Sequence, residues 1–158
     1  MELKPVLLVE MERAYADLVK LAFEQVSIRN PMDVVSSERE AVRYLTFLMS
    51  RPERNSPALI LLALLPQLCN QSRMVRWIRQ QPPLLGVPCV VFSGDDPAGG
   101  SRSPRELICD YYVQKPRDFS ELLTLAARLR ERWLLENAGA RDQTLPLQVR
   151  DGTITCGP

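Results

Sequence analysis

The stretch Pro57-Ala58-Leu59-Ile60-Leu61-Leu62-Ala63-Leu64-Leu65-Pro66 is apolar from one proline to the other. A short, uniformly aliphatic run bounded by breakers reads as a strand covered on both faces, the environment of a parallel sheet. It is far shorter than the roughly 20 residues a membrane-spanning helix needs. Three further segments share this character: Val6-Leu7-Leu8-Val9-Glu10, Val87-Pro88-Cys89-Val90-Val91-Phe92-Ser93 and Tyr111-Tyr112-Val113-Gln114-Lys115-Pro116. The carboxyl ends of these four strands carry Glu10, Ala63, Ser93 and Lys115.

Helical periodicity fills the gaps. Residues Arg13–Gln25 place Tyr15, Leu18, Val19, Ala22 and Phe23 on one face, continued by Val26. Asn30-Pro31 marks a turn before a short strand, Met32–Val35, and Ser37-Glu38-Arg39-Glu40 has the form of a capping box. The helix it opens carries Ala41, Val42, Leu45, Leu48 and Met49 on one stripe. A helix around Ser72–Gln80 offers Met74, Val75, Trp77 and Ile78 to a core. Gly99, Gly100 and Pro104 shorten the fourth helix to about Pro104–Ile108, whereas Asp118-Phe119-Ser120-Glu121 caps a long fifth helix reaching about Asn137. Strands alternating with helices give an α/β fold, a doubly wound five-stranded parallel sheet with flanking helices. In such sheets the working site lies beyond the carboxyl ends of the strands.

The domain spans residues 1–137, and residues 138–158 form a tail in which Leu147–Thr155 reads as a hairpin around Asp151-Gly152. An isolated hairpin is marginal in water, so it must dock, pair with another chain or stay disordered.

With 46% hydrophobic and 25% charged residues the composition is that of an ordinary globular protein, and a net charge of +1 provides no field favouring nucleic acid or membrane. The chain has no histidine, which excludes a histidine base, ligand or phosphorelay. Cys69, Cys89, Cys109 and Cys156 lack zinc-ligand spacing. No signal peptide opens the sequence, and reduced thiols in a cytoplasm are the expectation. Arg73, Arg76 and Arg79 share a helical face, which a solvated surface explains more simply than nucleic-acid binding.

The four strand-end residues, their order and their spacing resemble the receiver domain of two-component response regulators, which is flavodoxin-like. Ala63 and Ser93 stand 30 residues apart, and Ser93 and Lys115 stand 22 apart. The sequence Asp110-Tyr111-Tyr112-Val113-Gln114-Lys115-Pro116, the following Asp118-Phe119 and Trp133 are similar to single-domain regulators of the phytochrome-associated type. The resemblance implies an acidic pair after the first strand, a phosphoaccepting aspartate at the end of the third, and Mg²⁺ held by all three carboxylates. Glu10 keeps one acidic position, Met11 occupies the other and Ala63 stands at the acceptor. A thioether and a methyl offer no hard oxygen, so loss of both Mg²⁺ binding and phosphoacceptance is expected. The resemblance further implies a cis Lys115–Pro116 bond, a phosphoryl-binding role for Ser93 and a rotamer switch at Tyr112. An otherwise lone lysine at a strand end needs a counter-charge, which predicts a Glu10–Lys115 ion pair.

The functional reading is a degenerate, pseudo-receiver module, not an enzyme, that takes no phosphoryl group and works through protein–protein contact. It is expected to form a homodimer, or to bind a sensor kinase or another signalling protein. Tyr111, Tyr112, Leu123 and Trp133 are the candidate contacts, because aromatic anchors dominate interfaces. Two alternatives stay open: phosphorylation on a substitute carboxylate (Glu10, Asp95 or Asp96), and redox sensing through Cys69 or Cys109.

Overall fold

Val6–Val9 (β1) enters the sheet with all four side chains buried. In the computed structural model, which describes residues 3–51, 56–64, 73–93, 111–134 and 153–154, its backbone pairs on both sides. Helix α1 (Arg13–Gln25) follows, then β2 (Met32–Val35), α2 (Glu38–Met49), β3 (Leu59–Leu64), α3 (Arg73–Ile78) and a 3₁₀ turn at Pro82–Leu84. Strands β4 (Cys89–Ser93) and β5 (Tyr111–Gln114) come next. Helix α4 (Phe119–Leu129) passes into π-helical turns at Arg130–Leu134, and β6 (Thr153–Ile154) completes the order. The short fourth helix expected at Pro104–Ile108 lies outside the described residues, so α4 is the fifth helix of the sequence reading.

The sheet order is β2-β1-β3-β4-β5-β6, the first five strands parallel. This is the doubly wound sheet expected from the sequence. A sixth strand joins these five: Thr153 and Ile154 pair antiparallel with Val113 and Tyr112, so part of the segment read as a tail docks as an edge of the sheet, one of the outcomes open to the expected hairpin. An open edge leaves unpaired N–H and C=O groups, and these two residues satisfy some of those on β5. The remainder of the predicted hairpin lies outside the described residues.

Alternation along the strands divides the core into two layers. Leu7, Val9, Ile60, Leu62 and Val91 face Leu45, Met74 and Ile78 of α2 and α3. Leu8, Leu61, Val90 and Phe92 face Val19, Phe23, Leu122, Leu125 and Leu129 of α1 and α4. Leu18, expected inside, points to solvent: α1 turns its Ala16-Val19-Ala22-Phe23 face inward and leaves Leu18 and Leu21 outside.

Both predicted capping boxes form, each with a one-residue variation. Ser37 Oγ accepts the Glu40 N–H and Asp118 Oδ1 accepts the Glu121 N–H. The returning carboxylates reach past the cap: Glu40 accepts from Ser36 N–H and Oγ–H, and Glu121 from Arg117 N–H. At the end of α1, Ile28 N–H bonds to Phe23 O and Ser27 N–H to Glu24 O, with Ser27 at φ 64°. This is the Schellman arrangement, with a serine in the left-handed position that glycine usually fills. Every peptide bond between described residues is trans, Lys115–Pro116 included, which corrects the cis bond the resemblance implies. Trans is the intrinsically favoured X-Pro isomer, by about 0.5–1 kcal/mol.

Candidate functional site

The parallel register brings the chemistry-bearing residues to one end of the sheet. Val9 lies opposite Leu62, so Glu10 emerges beside Ala63. Ser93 lies opposite Gln114, so Lys115 leaves β5 just beyond the end of β4. Lys115 reaches over the ends of β4 and β3 to β1, where its Nζ lies 3.0 Å from Glu10 Oε2. The predicted ion pair is present. Ala63, on the strand between, presents only a methyl group and offers the ammonium no oxygen.

The pair is well enclosed: the side chain of Glu10 is 5% exposed and that of Lys115 26%. Its other valences are occupied too. Glu10 Oε1 accepts the Glu12 N–H at 3.0 Å, so the N-cap residue of α1 also serves the carboxylate. The Lys115 ammonium sits 4.1 Å from the centroid of the Tyr15 ring, within cation–π range. Tyr15 Oη–H in turn donates to Pro116 O at 3.2 Å. Burial, then the nearby Glu10 carboxylate, pushes the Tyr15 phenol up, so it remains a neutral donor at physiological pH. The sequence reading missed Tyr15 as a member of this site, assigning it only to the apolar face of α1. Its position one turn into the helix that follows Glu10 was the available signal.

Mg²⁺ does not fit these residues. It requires near-octahedral oxygen ligation with carboxylates among the ligands. Here Met11 is 72% exposed, Glu12 points to solvent, Ala63 has no donor, and the single carboxylate is committed to an ammonium and an N–H. Among the described residues no group of three or more His, Cys, Asp or Glu side chains could hold a metal ion.

The remaining predicted residues distribute differently. Tyr111 is 4% exposed and sits edge-on to Trp133, with ring centroids 6.1 Å apart and planes at 68°. This overturns Tyr111 as a partner contact: its ring belongs to the α1–α4 core layer, where burial is already complete. Leu123 and Trp133 are half-buried against the same layer. Only the backbone of Ser93 and Tyr112 is described, at the end of β4 and opposite Ile154. Asp95, Asp96, Cys69 and Cys109 lie outside the described residues. Cys89 is buried in the α2–α3 layer, out of reach of an oxidant in solution. Beside the ion pair, a cavity of about 620 Å³ runs between β5 and α4, lined by Gln114, Lys115, Arg117, Ser120, Thr124 and Arg128.

No protein-family model and no curated protein matches the chain. Solved structures do. The phosphorylated cyanobacterial phytochrome response regulator RcpA is 26% identical, with a TM-score of 0.65 over 84% of this chain and 94% of its own. The bacteriophytochrome response regulator RtBRR is 28% identical, with a TM-score of 0.66 over 85% of this chain and 82% of its own. The Mn²⁺-bound form of response regulator Rcp1, 22% identical, superposes with a TM-score of 0.61 over 84% of this chain and 96% of its own. The chain has the receiver fold, and phytochrome response regulators are among its structural neighbours.

Proposed function

Starting from a receiver fold with alanine at the acceptor position, we propose that this protein is a pseudo-receiver. It takes no phosphoryl group and acts by protein–protein contact, as a homodimer or with a sensor kinase or other signalling protein in the cytoplasm. The observation that carries this reading is the pocket itself: Ala63 has no nucleophilic oxygen, and Glu10 is tied to Lys115 at 3.0 Å. Phosphoryl transfer depends on positioning an acceptor and on cations that neutralise the transferring group. This pocket lacks the acceptor and has no unspent carboxylate to hold the cation. RcpA was crystallised phosphorylated and Rcp1 with Mn²⁺ bound, so the fold supports that chemistry in proteins that carry its residues. Contact surfaces survive the loss. Met11, Leu18, Leu21 and Phe47 are large apolar side chains left exposed, and Leu123 and Trp133 remain half-open on α4 and the turns after it.

Intact-mass analysis after incubation with Mg²⁺ and a small-molecule phosphodonor tests the central claim. No mass gain is expected. A gain mapped to Glu10, Asp95 or Asp96 would overturn it in favour of a substitute acceptor. For the homodimer, sedimentation across a concentration series should show self-association, and a strict monomer throughout would remove that part of the reading.

A further inference from the structure

A receiver pocket with three carboxylates and one lysine carries a surplus of two negative charges, which a divalent cation cancels. Replacing two of those carboxylates with Met11 and Ala63 leaves one carboxylate and one ammonium, 3.0 Å apart and in balance. A divalent ion entering here would have to displace Lys115 and would leave the site positive. The ammonium is also held from more than one side, by Glu10 from β1 and by the Tyr15 ring from α1. Tyr15 closes the circuit through Pro116 O, at the junction of β5 and α4.

We propose that Lys115 is the resident cation of this pocket, taking over the charge-balancing role of a metal ion and fastening β1, α1 and the β5–α4 junction in one arrangement. The inference deepens the pseudo-receiver reading on which it rests, because it makes the state of the junction independent of Mg²⁺ and of phosphodonors. The α4 face that follows the junction is then presented constantly.

Thermal denaturation of the full chain, with and without millimolar Mg²⁺, tests it. The wild type is expected to show no Mg²⁺ shift. Lys115→Met should lower Tm by roughly 10 °C, because it strands a buried carboxylate. Adding Glu10→Gln to that variant should recover part of the loss, although Glu10→Gln alone is destabilising. Met11→Asp/Ala63→Asp, which restores a surplus of two charges, should gain a Mg²⁺-dependent rise in Tm. A wild-type Tm that climbs with Mg²⁺ overturns the proposal. So does a Glu10→Gln effect that is the same with and without Lys115, or a carboxylate-restored variant indifferent to Mg²⁺. Should Lys115→Met fail to fold, Glu10→Gln/Lys115→Met, which has no stranded charge, and the Mg²⁺ arm on the wild type still decide. Phosphate uptake without a Mg²⁺ shift would refute the proposed function alone, whereas a Mg²⁺ shift without uptake would refute this inference alone.

Discussion

The interiors of the strands and their carboxyl ends use side chains in opposite ways. Inside, Leu7, Leu8, Leu61 and Val90 are fully enclosed, and each contributes through shape and apolar area alone. Fully burying such a side chain is worth about 1.5–3 kcal/mol, and no single partner is essential. At the ends, Glu10 and Lys115 depend on each other, since each is costly to bury once the other is removed. The interior therefore survives changes at the ends. The receiver fold is complete here with alanine at position 63 and methionine at position 11.

That contrast can be pressed at several points. Phe92→Ala, deep in the α1–α4 layer, should cost the most, about 3–5 kcal/mol in urea denaturation, because the cavity it leaves cannot collapse. A much smaller loss would mean that the interior is less tightly packed than its burial implies. Trp133→Ala removes a half-buried ring and its edge contact with Tyr111, and should cost about 2 kcal/mol. If Trp133 also anchors a partner, self-association should weaken by more than this loss of stability explains. Asp118→Ala deletes the cap of the helix that the Lys115 junction leads into, and should cost about 1 kcal/mol, with Asp118→Ser largely restoring it.

Ser27→Gly, at the far end of α1, is expected to stabilise by a few tenths to about 1 kcal/mol, since glycine takes the left-handed conformation without steric cost. No gain would show that the serine earns its place through contacts at the turn. The smallest effect concerns acid. Hydrogen bonds from Ser36 N–H and Oγ–H hold the Glu40 carboxyl below its ordinary value. A depressed carboxyl stabilises the fold above its unfolded value and loses that contribution as pH falls through the folded one. A Ser36→Ala variant should therefore show a shallower acid-side decline of Tm than the wild type.

Much of this molecule was legible in its sequence because the relevant signals are local. Continuous aliphatic runs marked the buried strands, Ser37 and Asp118 marked helix starts, and strand-end positions placed Glu10 and Lys115 within reach of each other. The spacing of Ala63, Ser93 and Lys115 carried the receiver resemblance. Local signals also had a ceiling. Leu18 satisfied the period of an inward face, yet the width of that face depends on how close α4 lies to α1. Tyr111 was a candidate partner contact on its aromatic character, yet Trp133, from the turns after α4, packs edge-on against it.

What the sequence determined by itself was the order of strands and helices, the absence of an acceptor oxygen at position 63 and the need for a counter-charge to Lys115. Each follows from residue type and period. The tertiary structure alone decided that Tyr15 would form a wall of the lysine site, that Thr153 and Ile154 would cover part of the β5 edge, and that the Lys115–Pro116 bond would be trans. Those outcomes turn on the distance between groups tens of residues apart in the chain, which periodicity does not encode and packing does.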